Sequence, residues 1–99
     1  MSRKIELVNT TENTTEIHID VGITEEGDIL FSGQDLGSDV RKMFGDSDYE
    51  YWLSISARDK DRLLLALIEQ HYSGNASVIS ELTELLKSKS IEYEFSSYI

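Results

Sequence analysis

Residues Tyr49–Ser56, Y-E-Y-W-L-S-I-S, decide the fold. Side chains alternate sides along an extended chain, so Tyr49, Tyr51, Leu53 and Ile55 share one side and Glu50, Trp52, Ser54 and Ser56 the other. An apolar side backed by a polar one marks a strand with a single face in the core. Trp52 is the exception: a large apolar ring on the wetter side, where it needs a reason.

The same pattern repeats upstream. Ile5 and Leu7 alternate with Lys4, Glu6 and Val8, which predicts a first strand over 3–9, and the polar run Asn9–Thr15 reads as a turn. Glu16–Thr24 then places Ile17, Ile19, Val21 and Ile23 inward, with Glu16, His18, Asp20 and Gly22 outward. Gly27 suits a hairpin loop that needs a positive φ. A third strand over Asp28–Ser32 turns Ile29 and Phe31 inward and Leu30 outward, before G-Q-D-L-G (Gly33–Gly37) breaks the pattern. Ser38 can cap a short helix bearing Val40, Met43 and Phe44, stopped at Gly45.

Downstream, Ser56 caps a helix over Ala57–Tyr72 with Leu63, Leu64, Leu67 and Ile68 on its apolar face. Gly74 closes it, and a second helix runs from Asn75 or Ser77 to about Lys89. A last strand over Ile91–Phe95 puts Ile91, Tyr93 and Phe95 inward and Glu92 and Glu94 outward. The expected fold is α+β: a two-layer sandwich of a mainly antiparallel five-stranded sheet with helices on one face, in the order β-β-β-α-β-α-α-β. Residues 1–99 form one domain on this reading, with no linker-like segment.

Nineteen acids against nine bases give a net charge of −10. Such a surface repels phosphate backbones and anionic lipid and attracts basic partners. The basic residues Arg58, Lys60 and Arg62 are interleaved with Asp59 and Asp61, so no basic patch arises and nucleic-acid binding is disfavoured. No apolar run approaches the roughly 20 residues that span a bilayer, so no membrane partner is expected. Without cysteine, disulfides and thiolate metal sites are excluded. Cytoplasmic residence is the expectation.

Nucleophilic catalysis needs a base beside the nucleophile, and only His18 and His71 are histidines. His18 lies between Glu16 and Asp20 on a strand face, and His71 near a helix C-terminus, where a positive charge is welcome. No catalytic residue and no cofactor is assigned, and an enzyme is not expected. Asp46, Asp48 and Glu50 alternate like the start of a calcium loop but lack its glycine and its distal glutamate. They support a weaker alternative, a small-ligand or divalent-cation site in Gly33–Glu50 using Asp35, Asp46 and Asp48.

The outward sheet face remains. Trp52, Glu50, Leu30, His18, Glu16, Asp20 and Glu92 are its candidate contact residues, with Val8 joining Trp52 and Leu30 in an apolar island. An aromatic anchor in a polar rim is how contact surfaces are commonly built. Two readings of Trp52 stand: an anchor for a protein partner, or a ring covered by the C-terminal tail through Tyr98 and Ile99. The first makes the chain a non-catalytic interaction module for a basic protein, with a homodimer through the same face as a further reading.

The run from Gly33 to Trp52, G-Q-D-L-G…F-G-D-S-D-Y-E-Y-W, followed by D-K-D-R-L-L-L-A-L and I-E-Y-E-F, resembles a set of small, uncharacterised bacterial proteins. The resemblance covers nearly the whole chain. It implies a stand-alone bacterial domain and carries over no catalytic residue, cofactor or substrate. Immunity proteins that neutralise toxins share this size, charge and class, which is an analogy only.

Overall fold

The structure, a computed structural model, describes residues 3–37 and 48–98. Its contacts cluster into two units, Met1–Leu64 and Leu65–Ile99. The fold is α+β: a four-stranded antiparallel sheet and two α-helices.

Strands β1 (Arg3–Glu12), β2 (Thr15–Ile23), β3 (Ile29–Gly37) and β4 (Asp48–Ile55) lie side by side in sequence order. The run expected to be a turn, Asn9–Thr15, instead extends β1 to Glu12 and opens β2 at Thr15. Threonine is polar yet β-branched, so a Thr-rich run makes good exposed strand. Only Asn13 and Thr14 are left to turn, with Asn13 at φ 57, a left-handed conformation that asparagine tolerates.

A second correction concerns β1. Glu6 pairs with Asp20 and Val8 with Ile19, so Leu7 is an extra residue in a bulge. The bulge reverses the alternation beyond it and brings Val8 onto the Ile19 face, away from Trp52. Val8 therefore leaves the expected apolar island.

The third correction is the length of β3. Gly33 does not end it; the ladder continues to Leu36 opposite Asp48 and Gly37 opposite Thr15. Gly33 is the one buried residue among those described, and a Cβ there would collide with the Tyr51 ring. The glycine makes room for a cross-strand aromatic ring and does not punctuate the strand.

The β2–β3 turn is closed by Gly27 N–H donating to the Thr24 carbonyl at 2.9 Å, with Gly27 at φ 88. Asp28 in that turn accepts from the Ala57 N–H at 2.8 Å, tying the turn to the chain that leaves β4. Ser56 caps that chain as expected, its Oγ accepting from Arg58 N–H at 3.2 Å. A short 3-10 turn, Ala57–Asp59, precedes α1 (Lys60–Tyr72). The expected helix over Ser38–Phe44, with Gly45, lies outside the described residues.

In the second unit, α2 (Val78–Ser88) carries half-buried Val78, Leu82 and Leu86 on one stripe. It ends in a left-handed cap: Ile91 N–H donates to the Leu86 carbonyl at 2.9 Å and Ser90 N–H to that of Lys87 at 3.2 Å, with Ser90 at φ 56. Glycine adopts that conformation without strain. Ser90→Gly is therefore expected to stabilise the chain by about 0.5–1 kcal/mol, visible as a melting temperature higher by a few degrees. An unchanged or lower value would show that the cap is not limiting.

Residues 91–98, where a fifth strand was expected at Ile91–Phe95, have no regular secondary structure. Alternation makes a segment able to form a strand, but a strand also needs a ladder partner. Here the first amide of the segment, on Ile91, closes α2 instead.

Candidate functional site

Residues directly opposite each other in neighbouring strands point to the same face of a sheet, so the register sorts every side chain. One face holds Ile5, Val21, Phe31 and Leu53 in a single row, flanked by the row of Ile23, Ile29 and Ile55. This is the apolar face, and in the structure it is partly open: Ile5 is 60% and Leu53 59% exposed.

The opposite face is built from four rows across the strands. Lys4, Gly22, Leu30 and Ser54 form the first; Glu6, Asp20, Ser32 and Trp52 the second. Asn9, His18, Gln34 and Glu50 form the third; Thr11, Glu16, Leu36 and Asp48 the fourth. Five carboxylates therefore share a face with one lysine and one histidine, and Trp52 stands among them, 63% exposed.

Six of the seven contact residues expected from the sequence are brought together here: Trp52, Glu50, Leu30, His18, Glu16 and Asp20. Glu92 is in no strand of the sheet; it is an exposed residue of the 91–98 segment. Tyr98, which one reading had covering the indole, is itself fully exposed, and Ile99 lies outside the described residues. Gln34 and Leu36 belong to the face and were missed, because β3 was ended at Ser32; continuing the alternation Leu30, Ser32, Gln34, Leu36 through the glycine would have found them. Asp48 was missed because the strand of Trp52 was started one residue late, at Tyr49.

The face has its own polar contacts. Lys4 Nζ lies 3.5 Å from Asp20 Oδ2, and Gln34 Nε2 donates to Asp48 Oδ1 at 3.0 Å. Both are solvent-accessible contacts of the kind that orient side chains more than they stabilise a fold. A groove of about 220 Å³ opens on this face, walled by Trp52, Glu50, Gln34, Ser32, Asp20 and His18.

The strand beneath Trp52 is fixed from the other side. Tyr51 lies over Gly33, donates its hydroxyl to Asp35 Oδ1 at 2.9 Å and tilts against Tyr49 with ring centroids 5.3 Å apart. Partial burial, then the hydrogen bond to Asp35, then repulsion from the charges of Asp35 and Tyr49 push its pKa from 10.0 up to about 12. A folded-state pKa above the unfolded value contributes stability fully below about pH 10, lost as pH climbs through about 12. In an alkaline absorbance titration, one of the five tyrosines should ionise late. Tyr51→Phe should remove that late step; an unaltered curve shape would contradict the assignment.

For the cation-site alternative, Asp35 pairs with Tyr49 on the apolar face and Asp48 with Leu36 on the polar one. Two of its three carboxylates are thus on opposite faces, and Asp46 lies outside the described residues. No group of three potential metal ligands is clustered among the described residues. His71 sits edge-on to Tyr72, ring centroids 4.6 Å apart, near the end of α1. No described helix is long and apolar enough to cross a membrane.

Compared with known proteins, the chain matches no family model, no curated protein and no solved structure.

Proposed function

We propose that the chain is a non-catalytic protein–protein interaction module that docks a basic protein on the polar sheet face around Trp52, in the manner of an immunity or inhibitor protein. One observation carries the reading: a 63% exposed indole set on a face with five carboxylates. Sparse charge at the centre and polar groups at the rim are how docking surfaces combine affinity with specificity. Charge distribution supports it further. Residues 1–56 hold twelve acids and four bases, so they carry most of the net charge of −10. A field of that sign speeds encounter with a basic partner and weakens as salt is raised.

A bacterial, cytoplasmic setting belongs to the same reading.

The test is retention of a partner on the immobilised chain at increasing ionic strength. Retention that falls with salt and vanishes for Trp52→Ala supports the reading. Retention indifferent to both rejects it.

A further inference from the structure

We propose that the groove beside Trp52 is a seat for one arginine side chain of the basic partner, its guanidinium plane stacked on the indole and bonded to Glu50. This inference rests on the docking reading above and names the chemistry that the face recognises.

Glu50 and Trp52 are two residues apart on β4, so their side chains leave the same face roughly 7 Å apart. That spacing lets one planar cation lie against the ring while its edge meets the carboxylate. Glu50 has no hydrogen-bond or ion-pair partner among the described residues. Gln34 has given its amide N–H to Asp48, which leaves its carbonyl oxygen as an acceptor, and the Ser32 hydroxyl can accept as well. The groove is thus rich in acceptors and has an aromatic wall. Arginine is the matching side chain: five donors in a plane, no acceptor, a permanent charge, and a flat face that stacks on indole.

Lysine matches less well. Its ammonium is a compact, strongly hydrated point charge that cannot bond sideways to a carboxylate while stacking flat. Asp20, two strands from Trp52, is already engaged by Lys4 at 3.5 Å. Glu50 is therefore the carboxylate left for an incoming cation, and Asp20 forms the far wall.

The experiment titrates the full chain with three hexapeptides of equal length: all-arginine, all-lysine and all-citrulline, the last an uncharged isostere of arginine. Trp52 is the only tryptophan, so its fluorescence reports on this groove alone. The arginine peptide is expected to give a saturable change, the lysine peptide a roughly fivefold weaker one, and citrulline none. Glu50→Gln should weaken the arginine peptide roughly tenfold, while Glu25→Gln, which removes equal charge at the β2–β3 turn, should change it less than about twofold. Trp52→Ala, followed by amide shifts at Ser32 and Gln34, should weaken it roughly tenfold too. All three altered side chains are exposed, so the variants should keep the wild-type amide spectrum.

Equal binding of lysine and arginine peptides, or equal losses from Glu50→Gln and Glu25→Gln, overturns the seat. If it is overturned while a partner is still retained in a Trp52-dependent manner, the docking reading survives without it. If both fail, the face is not a docking surface.

Discussion

Gly33→Ala is expected to lower the melting temperature by roughly 10 °C. The added Cβ would occupy the space of the Tyr51 ring. Relieving that overlap means swinging the ring away, which also breaks its hydrogen bond to Asp35. Overpacking costs about 1–3 kcal/mol and the lost bond about 1. Alanine's lower unfolded-state entropy offsets about 0.5–1 of this, leaving about 2 kcal/mol. A double-mutant cycle isolates the cause. With Tyr51→Ala already present, the clash partner is gone and Gly33→Ala should be close to neutral. Costs that simply add would show that Gly33 matters for some other reason.

Trp52→Ala is expected to do the reverse: leave stability within about 0.5 kcal/mol and weaken docking by 30-fold or more. Truncating an exposed side chain away from special features rarely moves stability. Truncating the aromatic anchor of an interface commonly costs 2 kcal/mol or more, which is about 30-fold in affinity. The two measurements must be made together. A Trp52→Ala variant that melts much lower than the wild type would place the indole in the core and remove the docking face. One that keeps both stability and affinity would make the ring an incidental surface residue.

The contrast between these two positions follows from what a sequence can and cannot display. Period-two alternation is local, so β2, β4 and the side on which Trp52 emerges were legible in Glu16–Thr24 and Tyr49–Ser56. The Ser56 cap was legible too, since it depends on neighbours two and three residues away. Gly33 was read as a break because its purpose, room for Tyr51, lies on another strand. The bulge at Leu7 is invisible until β2 fixes the register, and it alone moved Val8 to the other face. Threonine's β-branching was outweighed by its polarity in the reading of Asn9–Thr15. Ile91–Phe95 shows the same limit: its alternation is plain, but pairing is decided by a partner that the segment itself does not encode. For the site, individual face residues were legible, whereas the groove needed β3 to run on to Leu36 and bring Gln34 beside Glu50.

The most direct measurement is quenching of Trp52 fluorescence by acrylamide in the free, folded chain. An indole standing in solvent on the acidic side of the sheet should be quenched nearly as readily as free tryptophan. Strong protection of that ring in the free protein would contradict the account at its base.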